Sequence, residues 1–114
     1  MIKRRYPRMT FLAFATVFSP KTGVSFEGSI RNLGLQGLGM FSKGYLEVNS
    51  QVEILVTFRN GSGATREERI YGKVVGINVG VDGNTFGIEF NEKIKQEKNP
   101  ALYQYLHQTP TKTS

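Results

Sequence analysis

Arg4 and Arg8 have a spacing that suits the binding of an anionic ligand. In an extended chain their side chains project to the same side, about 13 Å apart at roughly 3.3 Å per residue. A guanidinium group binds phosphate through two parallel hydrogen bonds, and it binds the O6/N7 edge of guanine in the same way. The pair predicts either a specific anion site or a terminal arm whose charges only add solubility.

A second candidate site lies in residues 32–37, Asn-Leu-Gly-Leu-Gln-Gly, at the end of a predicted strand. Asn32 can offer its amide to the edge of a base, and Gly34 and Gly37 would let the backbone come close to a ligand. The same segment also fits a tight corner between strands, in which glycines adopt positive φ angles. The residues alone leave both interpretations open.

The composition excludes most catalytic and metal sites. The chain has no Cys or Trp, one His (His107) and one Asp (Asp82). Disulfides, thiolate ligands, cysteine nucleophiles and His-rich metal sites are therefore impossible. Nothing marks His107 and Asp82 as partners in a Ser-His-Asp arrangement. The sequence favours a binding module that is not an enzyme and that contains no metal or cofactor.

The positive charge is concentrated at the N-terminus. The net charge is +6, from 15 Lys and Arg against 9 Asp and Glu, and four of the basic residues lie among the first eight. The other 106 residues carry 11 basic and 9 acidic groups, so that they are nearly balanced. This distribution predicts a short basic arm on a nearly balanced body and argues against binding of a nucleic-acid polymer.

The hydropathy pattern predicts a cytoplasmic protein. No apolar run approaches the roughly 20 residues of a membrane span. The basic N-terminus and apolar residues 11–18 have the lengths found in a signal peptide, but Thr16 interrupts the apolar run and no small-residue cleavage site follows. We therefore expect neither a signal peptide nor a membrane span.

The elements that must position these residues are mainly strands. Alternating apolar residues and turn signals predict strands at 10–18, 24–33, 51–58, 69–81 and 85–90, with a short strand at 38–41. In the long strand the even-numbered positions from 70 to 80 are expected on one face. Glu67 and Glu68 are placed in a loop. The hairpin spacing predicts about six antiparallel strands in a small barrel or sandwich.

The C-terminal part changes to helical spacing. Residues 92–98 are predicted as a loose helix, and Asn99 followed by Pro100 predicts the N-cap of a second helix. Residues 109–114 are predicted to fray. The chain is thus interpreted as one domain, with a flexible arginine-rich arm at 1–9, a barrel at 10–91, and a helix and tail at 92–114.

The aromatic residues are expected in the interior or at helix contacts. Core packing is predicted for the four phenylalanines of the first two strands, Phe11, Phe14, Phe18 and Phe26. Tyr103 and Tyr105 are predicted to pack the C-terminal helix on the strands. His107 is predicted as a solvated residue at the helix end.

Taken together, the two candidate motifs resemble the PilZ domain family. Its hallmark is an RxxxR arm followed by (D/N)xSxxG about two dozen residues later. Residues 4–8, Arg-Arg-Tyr-Pro-Arg, match the first motif, and Asn32 and Gly37 match the first and last positions of the second. Later segments are also similar to PilZ strands, namely residues 52–56, 72–75 and 86–90. The resemblance covers residues 3–91.

The resemblance implies a six-stranded antiparallel β-barrel with a C-terminal α-helix, a mainly β fold. It also implies a receptor or adaptor for the bacterial second messenger cyclic di-GMP, not an enzyme. By this resemblance Arg4 and Arg8 would hold phosphate and guanine with Arg5 assisting, Asn32 would bond a guanine edge, and Gly37 would shape the corner. Ordering of the arm would be the switch that presents a new surface to a protein partner in motility, adhesion, biofilm or exopolysaccharide control.

Gly34 departs from the family pattern because it occupies the position of the motif serine. One missing hydrogen bond costs about 0.5–1.5 kcal/mol, which corresponds to roughly threefold to tenfold in affinity. One alternative is therefore a PilZ-like protein–protein module in motility or pilus assembly that does not bind the nucleotide.

A second alternative is independent of Gly34. It is an OB-like barrel that binds single-stranded nucleic acid, which would need a strand face that is both aromatic and basic.

Overall fold

Six antiparallel strands close into a barrel, and one helix follows them. The computed structural model describes residues 13–59 and 63–108. The elements in this part of the chain are β1 (Ala13–Phe18), β2 (Ser25–Leu33), β3 (Gly37–Ser42), β4 (Gln51–Arg59), β5 (Thr65–Val79), β6 (Asn84–Phe90) and α1 (Pro100–Gln108). Around the barrel the strand order is β1-β2-β3-β6-β5-β4. The prediction of a mainly β barrel with a C-terminal helix is confirmed.

Strict alternation of side chains builds the core of the barrel. Along β4, every second residue is buried to 2% exposure or less, and these residues are Val52, Ile54, Val56 and Phe58. The same period of two buries Phe86, Ile88 and Phe90 in β6. Because one face of each strand points into the closed barrel, this pattern fixes the register of the sheet.

The aromatic residues of β1 point outward, so the prediction that Phe14 and Phe18 pack in the core is wrong. Phe14 is 54% exposed and Phe18 is 37% exposed, while Ala13, Ala15 and Val17 are buried. The alternation of β1 admits only one of its two faces to the barrel, and the narrow interior takes the face with the smaller side chains. Phe11 lies outside the described residues.

The inward faces of β2 and β6 meet through an aromatic pair. Phe26 is half-buried, and its ring centroid lies 5.8 Å from that of Phe86, which is fully buried. Core packing of Phe26 is therefore confirmed.

β5 differs from its prediction at both ends and in its middle. It begins at Thr65, so that Glu67 and Glu68 belong to the strand rather than to a loop. A bulge between Val74 and Gly76 shifts the register against β6. A bulge adds one residue to one strand only. After the bulge the inward-facing positions of β5 are therefore odd-numbered instead of even-numbered, and Ile77 is partly buried.

The segment between β6 and α1 is not helical, which corrects the prediction for residues 92–98. It contains bends and a single turn at 96–98. Ile94 anchors the segment because its side chain is buried and its backbone N–H donates to the Leu35 carbonyl at 2.8 Å. The charged sequence predicted a helix, but burial of Ile94 at the end of the barrel favours an extended path.

Helix α1 is capped by a strand residue. The Glu68 carboxylate accepts hydrogen bonds from the backbone N–H groups of Ala101 at 2.9 Å and Leu102 at 3.0 Å. The predicted side-chain cap, Asn99, instead donates its amide to the Arg69 carbonyl at 3.4 Å. The carboxylate thus satisfies two of the free amides that every helix start exposes.

The helix packs on the barrel as predicted. Leu102 is fully buried, and the Tyr105 ring centroid lies 4.9 Å from that of Phe58. Tyr103 is partly buried against the same core, and His107 is exposed in the last turn. The predicted fraying of residues 109–114 falls outside the described residues.

Candidate ligand-binding site

The turn between β2 and β3 forms the second predicted motif. The Gly34 N–H donates to the Gly37 carbonyl at 2.9 Å, and Leu33 pairs with Leu38 in the ladder that follows. The turn is also bonded to the end of β6, because the Gln36 carbonyl accepts from the Phe90 N–H at 2.9 Å. These backbone bonds hold the turn on the barrel without using its side chains.

A surface cavity of about 550 Å³ opens at this turn. Its lining consists of the whole predicted motif and one further residue, namely Asn32, Leu33, Gly34, Leu35, Gln36, Gly37 and Lys93. The structure therefore brings Asn32, Gly34 and Gly37 together at one surface cavity.

Asn32 presents an available amide at the edge of this cavity. A bulge between Ile30 and Asn32 sets its position on β2, and the residue is exposed. Its side chain lies over the backbone of Gly39, where an added Cβ would come within 2.8 Å of Nδ2. Within residues 13–59 and 63–108 no group hydrogen-bonds to this amide. It therefore offers one acceptor and two donors to a ligand.

The glycines of the motif are required for close approach rather than for positive φ. Neither Gly34 nor Gly37 has a positive φ angle, so the expected left-handed corner is wrong. A Cβ at Gly37 would lie 2.5 Å from the Ile88 carbonyl oxygen, whereas a Cβ at Gly34 would meet nothing closer than 3.9 Å. Any side chain at Gly37 must displace β6, while a serine at Gly34 has room.

Lys93 is the basic residue of the cavity that the sequence analysis did not identify. It precedes Ile94, whose N–H is bonded to the Leu35 carbonyl, and this bond brings the segment after β6 to the turn. Lys93 lies in a charged run with Lys95 and Lys98, and that run gives no sign of which lysine faces the motif. Only the tertiary path of the chain distinguishes it.

Arg4, Arg5 and Arg8 lie outside the described residues, as does the whole predicted arm at 1–9. The structure does show where the chain enters the barrel. Ala13 begins β1 opposite Phe58, and Phe14 pairs with Ser29 of β2, three residues before Asn32. Because β1 and β2 are antiparallel, β1 starts at the same end of the barrel as the cavity.

No group of three or more His, Asp or Glu side chains in residues 13–59 and 63–108 is arranged to hold a metal ion. The helix found in the same residues is too short and too polar to cross a membrane.

The sequence matches the PilZ domain family over residues 2–108. The chain belongs to the PilZ domain family. This match includes the RxxxR motif and the turn as well as every strand and the whole C-terminal helix, so that it covers more of the chain than the resemblance noted above. PilZ domains form a family of cyclic di-GMP receptor and adaptor modules rather than enzymes.

Solved PilZ-like structures share the fold. The PilZ domain of YcgR from Escherichia coli, solved with c-di-GMP, is 10% identical at a TM-score of 0.59, and the match covers 93% of this chain and 91% of that one. The inhibitor of motility MotI/DgrA of Bacillus subtilis is 13% identical at a TM-score of 0.60, over 99% of this chain and 55% of that one. At such identities the likeness shows the fold alone.

A third similar structure is that of MrkH from K. pneumonia in its apo state, 16% identical at a TM-score of 0.57, over 94% of this chain and 52% of that one. The chain thus spans about half the length of the MotI and MrkH structures. No functionally curated protein gives a significant match to the sequence.

Proposed function

We propose that this PilZ domain is a receptor for cyclic di-GMP that acts as an adaptor toward a protein partner. The observation that carries the proposal is the cavity at the β2–β3 turn, which collects the second motif and Lys93 at the end of the barrel where β1 begins. The N-terminal RxxxR motif precedes β1 in the sequence and so joins the barrel at that end.

The chemistry of these residues suits both parts of the ligand. Arg4 and Arg8, with Arg5 assisting, supply guanidinium groups that match phosphate oxygens and the O6/N7 edge of guanine. Asn32 supplies an exposed amide for a guanine edge, and Lys93 adds a positive charge toward the two phosphates. Gly37 keeps the turn close to β6, which shapes the floor of the site.

The proposed switch is the ordering of residues 1–9 over the barrel when the nucleotide binds. Ordering a terminal segment is entropically costly, and contacts with the bound phosphates would offset that cost. The ordered arm and ligand would then present a new surface to a protein partner in motility, adhesion or exopolysaccharide control. The structural likeness to MotI/DgrA and to YcgR with c-di-GMP supports motility as the first process to examine.

Gly34 favours a second candidate function. It stands where the family motif has serine, so that one hydroxyl contact is missing. The same change is expected in a PilZ-like interaction module that no longer binds the nucleotide. Such a module would retain a protein partner in motility or pilus assembly. Nucleotide binding distinguishes the two candidates.

Isothermal titration of the full chain with cyclic di-GMP tests the proposal. We expect binding by the native chain and a loss of about tenfold or more in affinity for Arg8→Ala, because a hydrogen bond to a charged group contributes about 1.5–3 kcal/mol. Lys21→Ala is the control, since it removes one positive charge from the turn between β1 and β2 at the other end of the barrel. Absence of heat at high micromolar ligand, with folded protein, would overturn the receptor function. Equal affinity of Arg8→Ala and the native chain would show that the arm does not bind.

Restoring the motif serine tests the meaning of Gly34. Because a Cβ fits at this position, Gly34→Ser should bind cyclic di-GMP about threefold to tenfold more tightly than the native chain. Gly34→Ala adds the Cβ without the hydroxyl and should leave the affinity unchanged. Binding by Gly34→Ser where the native chain shows none would instead identify the native site as degenerate and support the second candidate.

A further inference from the structure

The barrel has an open strand edge on the second half of β5. β5 pairs with β4 only as far as Lys73, whereas it pairs with β6 from Gly72 to Val79. Val74 is still covered on the β4 side, because it exchanges backbone hydrogen bonds with Asn49 and Ser50. From residue 75 to residue 79 no described residue pairs with this side of the strand. A closed barrel normally leaves no such edge.

The alternation of an antiparallel ladder identifies the groups that point to this edge. The Gly80 N–H donates to the Gly83 carbonyl at 2.9 Å, so Gly80 and Gly83 form a hydrogen-bonded pair. Hydrogen-bonded and non-hydrogen-bonded pairs alternate along the ladder. Ile77 and Val79 therefore fall in non-hydrogen-bonded pairs, opposite Phe86 and Asn84, and direct their N–H and C=O groups away from β6.

The sequence of this edge lacks the usual protection against pairing. Exposed edges in natural sheets carry Lys, Pro or inward charges that prevent the addition of another strand. Residues 74–81, Val-Val-Gly-Ile-Asn-Val-Gly-Val, contain none of these. Val74 is buried, but the other three valines are exposed to solvent, 50% at Val75, 72% at Val79 and 100% at Val81.

We propose that this edge pairs with the same edge of a second copy of the chain and forms a two-fold dimer. With Asn78 on the symmetry axis, Ile77 of each copy lies opposite Val79 of the other, and their outward N–H and C=O groups make four hydrogen bonds. The apolar side chains of Ile77 and Val79 then form one continuous row across the junction. An antiparallel pairing of two identical strands is self-complementary, as a two-fold interface requires.

The charge of the edge favours a second copy over a charged peptide. Two uncharged segments meet without like charges opposite each other, while an acidic or basic strand would find no counter-charge within residues 74–81.

The dimer would leave both cavities accessible. β6 pairs with β3 from Glu89 opposite Gly37 to Asn84 opposite Ser42, so the β5–β6 turn lies at the other end of the barrel from the cavity.

Sedimentation equilibrium of the native chain and of Asn78→Lys tests the interface. In the proposed register the two Asn78 side chains are directly opposite, so lysine there places like charges together and should weaken the dimer about tenfold or more. Thr85→Lys is the matched control, because Thr85 pairs with Asn78 and is exposed but lies one strand further from the axis. Measurements up to about 1 mM protein would detect even a weak dimer. If the native chain is monomeric over this whole range, the proposal is overturned. A dimer that Asn78→Lys leaves unchanged would overturn it as well.

Disulfide crosslinking tests the register directly, because the chain contains no cysteine. Residues opposite in a non-hydrogen-bonded pair have Cα atoms about 4.5 Å apart, within disulfide range. Asn78→Cys should therefore give a covalent dimer under mild oxidation. Thr85→Cys should not, since three strand spacings of about 4.8 Å separate its two copies. Equal crosslinking of both variants, or none of Asn78→Cys, would overturn the register. These measurements need no nucleotide, so their outcome is independent of the proposed receptor function.

Discussion

Lys93 supplies positive charge to the cavity from a segment distant in sequence from the second motif. We expect Lys93→Ala to weaken cyclic di-GMP binding about twofold to fivefold, because an exposed charge pair contributes about 0.2–1 kcal/mol. The loss should shrink at high salt, which screens exposed charges. Titration at low and high ionic strength measures both effects.

Lys95→Ala is the matched control for this prediction. Lys95 lies two residues further along the same exposed segment and does not line the cavity. If Lys93→Ala and Lys95→Ala reduce the affinity equally, the effect comes from net charge, and Lys93 has no specific contact with the ligand.

The spacing of residues could predict part of this site. Asn32, Gly34 and Gly37 lie within six consecutive residues, so their motif was recognisable in the sequence, and the structure places them around one cavity. No sequence pattern indicated that Lys93 lines the cavity, because its position follows from a hydrogen bond between the Ile94 N–H and the Leu35 carbonyl. Such a bond joins backbone groups that every residue carries, so no residue type signals it.

The carboxylate of Glu68 connects two elements, since it belongs to β5 and caps α1. Glu68→Ala would leave the amides of Ala101 and Leu102 without their acceptor. We expect a loss of about 1 kcal/mol in the free energy of unfolding, as for loss of an N-cap side chain. Urea denaturation measures the loss. Glu67→Ala is the control, because Glu67 is exposed and is the preceding residue of the same strand. Equal stability of the two variants would contradict the role of Glu68.

The contact between α1 and the barrel should also weaken at alkaline pH. Burial raises the pKa of Tyr105 from its ordinary value of 10.0 to about 12. The folded protein therefore holds this proton more tightly than the unfolded chain does. The resulting stability is fully present below pH 10 and is lost as the pH rises toward about 12.

Tyr105→Phe removes the ionisable group and should reduce the decline of stability over this alkaline interval. Urea denaturation at a series of pH values measures the decline. Tyr71→Phe is the control because Tyr71 is 52% exposed. A Tyr105→Phe variant whose stability falls as steeply as that of the native chain would show that other groups govern the alkaline loss.

Elements with strict alternation were predictable, and elements determined by tertiary contacts were not. In β4 and β6 the apolar residues recur at every second position, so their existence and buried faces followed from the sequence. The bulge at Val74 and Gly76 carries no comparable local signal. Residues 92–98 have a composition that is compatible with a helix, and the burial of Ile94 determined their actual path.

The charge distribution of the whole molecule predicts no affinity for nucleic-acid polymers. The outward faces of β1 and β5 do expose aromatic side chains, namely Phe14, Phe18 and Tyr71. However, the nearby Arg69 guanidinium is paired with the Glu53 carboxylate at 2.8 Å, so this arginine is not free to bind a phosphate. Binding of single strands needs a basic groove beside the aromatic residues.

We therefore expect no salt-dependent binding of single-stranded oligonucleotides at concentrations at which cyclic di-GMP saturates the protein. Fluorescence anisotropy with labelled oligonucleotides of several sequences measures this. Tight binding that falls steeply with salt would show release of counterions and would support the OB-like alternative.

Closure of the barrel was less predictable than its strands. Six short antiparallel strands are compatible with either a barrel or a sandwich, and the strand spacing did not distinguish them. The resemblance to PilZ domains selected the barrel, which the structure confirms by pairing β1 with both β2 and β4.

The bonds from Phe90 and Ile94 to the carbonyls of the β2–β3 turn have a practical consequence for observing the site. Both donors are backbone amides, one at the last residue of β6 and the other in the segment that leads from β6 toward α1. Their protons exchange with deuterium only when the turn and this segment separate. A nuclear magnetic resonance experiment can therefore follow the opening of the turn at two amides that lie outside the motif itself.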